Sequence, residues 1–296
     1  MRTSFEELLQ QEGSILLDGA MGTMLFSSGL EHGGAPELWN VEAAQKIKAV
    51  HQAYIDVGSQ VILTNTFGGT PLRLDMHGLG DQAEELNQAG AELAGEVAAQ
   101  ADVDVVVAGS IGPSGGILEP YGEMSYDDAV ESFRRQVEGL VQGGVDVLWV
   151  ETMSDLHEVR AAVEGARLVT HDLPIVGTMT FDTHGRTMMG VTPEQALQEL
   201  SSLGLAALGA NCGNGTEEIE TVIRKMVTLE PDKPLVAKAN AGIPHVEDGE
   251  VVYDATPEIM AVYAQKVRAL GAKFIGGCCG STPDHLEAMQ RALQAL

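Results

Sequence analysis

Three cysteines carry the chemistry of this 296-residue sequence. Cys212 follows Gly209-Ala-Asn, and Cys278 and Cys279 are adjacent in Ile275-Gly-Gly-Cys-Cys-Gly. Each closes an apolar run, and the pair is bracketed by Gly276, Gly277 and Gly280, which let backbone turn sharply and approach closely. Three thiolates are soft donors suited to Zn(II). A zinc ion on three protein ligands keeps its fourth tetrahedral position for a substrate, the count of a catalytic site. Free cysteines can instead be small buried core residues, and zinc can be structural or sensory, so a non-catalytic zinc- and thiol-binding protein is the rival class. Three ligands rather than four argue against it. A structural disulfide fits poorly, because adjacent cysteines bridge only with distortion and the total is odd. The N-terminus, Met1-Arg-Thr-Ser-Phe-Glu-Glu-Leu-Leu, reads as a short amphipathic helix without the apolar stretch of a signal peptide, so a reducing cytoplasm is expected.

The elements that must position these residues repeat as β then α, eight times. Short β-branched runs ending in glycine or polar residues fall at 14–18, 61–66, 105–110, 147–152, 174–180, 207–211, 235–240 and 273–278. Helical patterns fall at 43–57, 82–100, 126–143, 156–170, 193–203, 217–229, 257–270 and 283–296. The strands show continuous rather than alternating hydrophobicity, as in a parallel sheet covered on both faces. Count and length predict a single-domain (β/α)8 TIM barrel over 1–296. An open doubly wound sheet is the alternative, and no glycine-rich dinucleotide fingerprint supports it. In a barrel the chemistry gathers at the C-terminal ends of the strands. There the sequence places Asp18, Thr64-Asn65-Thr66-Phe67, Ser110, Glu151-Thr152, Asn211-Cys212, Lys238 and the cysteine pair, so residues 212 and 278 should meet across one mouth.

Composition bounds the partners. With 43 acidic against 17 basic side chains the formal net charge is −26, which would repel nucleic acid, and no apolar run approaches the length needed to cross a bilayer. The acids are dispersed along the helices, so a solvated surface is the leading explanation, with a saline source a second inference. The histidines show no metal-ligand spacing, and most read as solvated or capping residues. Met21, Met24, Met188 and Met189 could line a donor pocket, although methionine more often fills core gaps. Lys238 stands where a Schiff-base lysine would sit in an aldolase-type barrel, which makes a lyase a rival. A structural ion pair is the plainer reading of the same residue.

Leu17-Asp-Gly-Ala-Met-Gly-Thr, Thr64-Asn-Thr-Phe, Gly109-Ser-Ile-Gly-Pro, Trp149-Val-Glu-Thr, Gly209-Ala-Asn-Cys and Gly276-Gly-Cys-Cys-Gly together resemble the homocysteine S-methyltransferase family nearly end to end. The resemblance implies a (β/α)8 barrel with zinc on Cys212, Cys278 and Cys279 and homocysteine sulfur as a further ligand, the three cysteines forming the catalytic centre. It also implies that Glu151 and Asp18 accept from the homocysteine ammonium. Backbone amides around Gly19, Ala20 and Met21 would then receive its carboxylate, and Asn211 would orient the zinc loop. Glutamate ending an apolar strand is costly without a partner, whereas Asp18 reads equally well as a turn cap. For the methyl donor, Trp39 in Ala35-Pro-Glu-Leu-Trp-Asn resembles the betaine branch, where such a ring faces a quaternary ammonium. A hydrophobic anchor pinning the loop is the alternative role. Gly68-Gly69-Thr70 is nearer the methionine synthase pattern than the tyrosine of animal betaine enzymes, while Phe67-Gly-Gly and Thr187-Met-Met-Gly look like bacterial betaine enzymes. Betaine is the favoured donor, with S-methylmethionine or a corrinoid protein acting in trans as alternatives.

Overall fold

A computed structural model describes residues 2–247 and 250–295. Met1 and Leu296, the ends of the expected domain and of its last helix, lie outside the described residues. The described residues form ten strands: β1 (Ile15–Leu16), β2 (Val61–Leu63), β3 (Val106–Ile111), β4 (Val147–Met153), β5 (Ile175–Met179), β6 (Ala207–Cys212), β7 (Leu235–Ala239), β8 (His245–Glu247), β9 (Glu250–Val252) and β10 (Ala272–Gly277). Eight form one parallel sheet in the order β1-β10-β7-β6-β5-β4-β3-β2. A parallel bridge between Leu17 and Val61, with Asp18 N donating to Val61 O at 3.0 Å, joins the first strand to the second and closes the ring. This is the single-domain (β/α)8 barrel anticipated from the strand runs.

The core divides as strand periodicity requires, successive side chains pointing to opposite faces. One set (Leu17, Leu63, Val106, Val147, Trp149, Val236 and Phe274 among them) fills the barrel. The alternate set, such as Ile62, Val107, Leu148 and Ile275, packs against the surrounding helices. The N-terminal helix Phe5–Leu9 begins with a Ser4–Glu7 capping box and drives Phe5 and Leu8 into the barrel, where Phe5 stacks on Phe274 at 5.4 Å. Arg2 bridges to Val105 and pairs with Asp146, so this plug sits at the N-terminal ends of β3 and β4, opposite the mouth. Helices Pro71–Asp75, Pro193–Ser202, Pro257–Ala269 and Pro283–Gln294 all start at a Thr-Pro dipeptide. Threonine supplies the extended N-cap and proline occupies the first turn, where no amide is needed.

The antiparallel β8–β9 pair was not expected. It projects from the loop after β7 with the β8 residues exposed. Its signature was in the sequence all the same: Asp248-Gly249 flanked by His-Val-Glu and Glu-Val-Val is a hairpin pattern.

Candidate metal centre and active site

Barrel topology brings the cysteines together through β7. Cys212 ends β6 in register with Ala239 of β7, and Gly277, next to Cys278, pairs with the same Ala239 from β10. Cys278 N donates to Ala239 O at 2.7 Å and Ala241 N to Cys279 O at 2.9 Å, which fastens the cysteine loop to the end of β7. The three sulfurs lie within 4.8 Å of one another, with Cys212 Sγ 2.7 Å from Cys278 Sγ. Cys212 takes a left-handed conformation, φ 60°, unusual for a side chain with a Cβ and the kind of strain that gathers at functional sites. At Gly280, φ 78°, a Cβ would stand 2.1 Å from the Tyr253 ring, so only glycine lets that ring lie against the loop.

The sulfurs are close enough to hydrogen-bond to one another. Hydrogen bonds from Cys212 and Cys278 pull Cys279 down to about 3, while hydrogen bonding to Cys278 and Cys279, with burial, pushes Cys212 well above the ordinary thiol value. Three all-sulfur donors at one point suit a soft divalent ion. Tetrahedral zinc with sulfur at ~2.3 Å spaces its sulfurs roughly 3.8 Å apart, so Cys212 and Cys278 would part by about 1 Å on binding. That shift lies within rotamer adjustment, and the donor set therefore fits zinc.

Behind the sulfurs sits Asn211, fully buried. Its Oδ1 accepts from Thr152 N at 2.8 Å and Thr178 Oγ1 at 2.6 Å, and its Nδ2 donates to Thr152 Oγ1 at 2.6 Å. Those bonds fix the amide so that the nitrogen faces Cys212 Sγ at 3.5 Å. Thr152 itself is held at φ 63°.

Three ionisable groups are buried beside the cluster. Lys238 Nζ lies 3.0 Å from Asp18 Oδ1, and Leu63 N donates to Asp18 Oδ2 at 2.7 Å. Desolvation opposes the Lys238 ammonium, but Asp18 and Glu151 outweigh it and hold its pKa above the ordinary lysine value. A Schiff-base lysine needs the opposite shift, so Lys238 belongs to an ion pair and the lyase alternative loses its residue. Asp18 is correspondingly committed to Lys238 and to a backbone amide. Glu151 is freer: Ser110 Oγ donates to its Oε1 at 2.6 Å, and burial pushes its pKa up to about 7.

A cavity of about 1070 Å³ opens over this floor, lined by all three cysteines and by Asp18, Gly19, Ala20 and Glu151. Two expectations need correction. The Ala20 amide donates to Ser281 Oγ at 3.1 Å and so is not a vacant donor for a carboxylate. Trp39 does not line the cavity. It starts the short helix Trp39–Glu42, packs against the core and carries Lys46 Nζ 4.4 Å from its ring centroid. One face of the ring already carries that ammonium and the ring packs outside the cavity lining, as a loop anchor would. Met188, 72% exposed, is likewise absent from the lining. The aromatic rings that do line the cavity are Phe26, Phe67 and Tyr253. Ser110 and Thr152 were visible as strand ends in the sequence. Tyr253 was not, because it follows the unforeseen hairpin.

A family model described as homocysteine S-methyltransferase matches residues 15–293. Methionine synthase of Mycobacterium leprae is 30% identical over 292 residues, a match covering 93% of this chain and 24% of the relative, and that of Mycobacterium tuberculosis gives the same figures. The chain thus spans about a quarter of the length of these relatives. Among solved structures, the homocysteine methyltransferase MmuM from Escherichia coli in its metallated form superposes with a TM-score of 0.79 at 26% identity, covering 96% of this chain and 98% of that one. A methyltransferase from Methanosarcina mazei, at 10% identity and a TM-score of 0.63 over 96% of this chain and 94% of that one, shares the fold.

Proposed function

The chain belongs to the homocysteine S-methyltransferase family, and on that basis we propose that it methylates the thiol of L-homocysteine, giving methionine, at a zinc ion held by Cys212, Cys278 and Cys279. The observation that carries this reading is the convergence of three sulfurs within 4.8 Å on the floor of a cavity. Zinc there would supply the charge that lowers the pKa of a substrate thiol, about 8.5 when free, so that the sulfur is a nucleophile near neutrality.

The chain's own residues do the positioning. Glu151 is the acceptor for the homocysteine ammonium, whose charge would draw the carboxyl back to its ionised form. Lys238 offsets the negative charge that Asp18, Glu151 and the sulfurs bring together. Asn211 and Thr152 fix the direction of Cys212. The donor is a small onium compound, with betaine the first to test. The rings of Phe67 and Tyr253 offer faces to its cation in place of Trp39. In the transfer the sulfur's electron pair forms the S–CH3 bond, and the carbon–onium bond breaks with its pair left on the departing amine or sulfide. Three free thiols call for a reducing compartment such as the cytoplasm.

A second reading, methyl delivery by a corrinoid protein in trans, draws on the exposed apolar side chains of several βα loops, Phe67, Ile117 and Ile243 among them. The test is methionine formation from homocysteine with betaine, S-methylmethionine or methylcobalamin, alongside zinc analysis of Cys212→Ala. Turnover with methylcobalamin alone would replace the onium donor. Unchanged zinc content in Cys212→Ala would remove the proposed centre.

A further inference from the structure

Arg73 is anomalous among the arginines. The other nine each have a guanidinium hydrogen bond, to a carboxylate (Arg2, Arg134, Arg135, Arg160, Arg224, Arg291) or to a backbone carbonyl. Among the described residues Arg73 has neither a guanidinium hydrogen bond nor an ion pair, in a chain where 43 acids compete for 17 bases. It also lines the cavity that holds the cysteines, where the other cationic side chain, Lys238, is already matched by Asp18.

Its placement is built. Thr70 caps the turn that carries it, accepting from Arg73 N at 3.2 Å. The stem passes between two glycines from different βα loops. A Cβ at Gly68 would stand 3.2 Å from Arg73 Cγ, and one at Gly115, φ +89°, 3.0 Å from Cδ. Side chains at either position would push the arginine aside. Glu37, the nearby buried carboxylate, is held by the Gly68 amide at 2.7 Å; it feels the charge of Arg73 but makes no hydrogen bond with the guanidinium. Phe67, in the same loop, lines the cavity beside it.

A guanidinium with its fork open is a receptor for a carboxylate, which it grips through two parallel N–H···O bonds. The homocysteine ammonium has its acceptor at Glu151, next to the sulfurs. Resting on the methyl-transfer reading above, we propose that Arg73 is the specificity residue for the methyl donor. It receives the donor's carboxylate, so the donor class is the onium carboxylates and not carboxylate-free onium cations or a carrier-borne methyl.

The test uses wild type, Arg73→Gln and Arg73→Lys, loaded with zinc and homocysteine. Dissociation constants for betaine, S-methylmethionine, betaine methyl ester and choline are read by calorimetry, and KM is read where turnover occurs. Losing a charge-assisted pair should weaken binding of the matching onium carboxylate roughly tenfold or more in Arg73→Gln, with partial recovery in Arg73→Lys. Homocysteine affinity should be unchanged, and the ester and choline should bind all three proteins equally and weakly. Equal carboxylate binding by wild type and Arg73→Gln would overturn the proposal. So would a parallel loss of homocysteine affinity, or no binding of either onium carboxylate to wild type. Where a donor turns over, its KM replaces the dissociation constant in the comparison; absence of methionine with every donor counts against the methyl-transfer reading, while the Arg73 binding comparison still decides this one.

Discussion

Glu151→Gln should make the protein more stable and a poorer homocysteine binder, with the stability gain confined to a defined pH range. Glu151 is buried at the end of β4, and burial raises its pKa from 4.5 to about 7. A carboxyl whose folded value lies above its unfolded one binds more protons in the folded state between those two values. Stability therefore falls as pH rises from 4.5 through 7, and above 7 the decrement from this one group is complete and constant. At 1.36 kcal/mol per pH unit across that interval, the decrement is on the order of 3 kcal/mol at pH 8 and vanishes well below pH 4.5. Glutamine cannot ionise, yet its carbonyl still accepts from Ser110 Oγ, which donates to Glu151 at 2.6 Å. Urea unfolding in the absence of homocysteine should show little difference from wild type near pH 4.5 and a gain approaching ~3 kcal/mol at pH 8. Homocysteine affinity, by equilibrium dialysis at pH 8, should fall at least roughly tenfold, because the ammonium loses a charged acceptor. A variant that is less stable than wild type at pH 8, or that gains equally at both pH values, would refute burial as the origin of the Glu151 shift.

Lys238→Met should lower stability by roughly 3–5 kcal/mol near neutrality, because it strands Asp18 buried beside a second carboxylate; adding Asp18→Asn should recover part of it, and denaturant titration of both variants checks the order. Asn211→Ala removes the amide that faces Cys212 Sγ at 3.5 Å, and competition with a chromogenic chelator should show zinc affinity reduced by about 10- to 100-fold. Trp39→Leu should cost roughly 1–3 kcal/mol of stability through lost packing and the lost Lys46 contact, yet leave the donor KM within about twofold; a large donor effect would return Trp39 to the site.

What the sequence made legible follows from which part of the barrel carries each residue. The eight barrel strands lie within about two residues of their expected starts, because parallel strands buried on both faces appear as continuous β-branched runs. Residues at their ends inherit that certainty. Cys212, Glu151, Asp18 and Lys238 all converge on one floor, although Asp18 and Lys238 are far apart in sequence and meet only through the β1-β10-β7 order. The strand runs alone could not say that the Asp18 carboxylate is bound to Lys238, since a charge pair depends on side-chain reach across a neighbouring strand. Trp39 misled for a related reason: an aromatic in a long loop is visible in sequence, but what covers its face is not, and Lys46 reaches it from the following helix Ala44–Asp56.

The acceptor and donor halves of the reaction are therefore unequally written in this chain. The residues proposed for sulfur and ammonium recognition stand at strand ends, where the backbone ladder fixes position and a substitution must be tolerated by the packed barrel. The proposed donor side, Phe67, Arg73 and Tyr253, lies on βα segments, Arg73 in the short helix Pro71–Asp75, whose paths depend on local devices: the Thr70 cap, the space left by Gly68 and Gly115, and the close approach of Tyr253 to Gly280. Loops tolerate change that strands do not. One floor can thus serve several donors, and the donor used by a given chain is to be sought in the glycines that make room for its loop side chains, not in the cysteines.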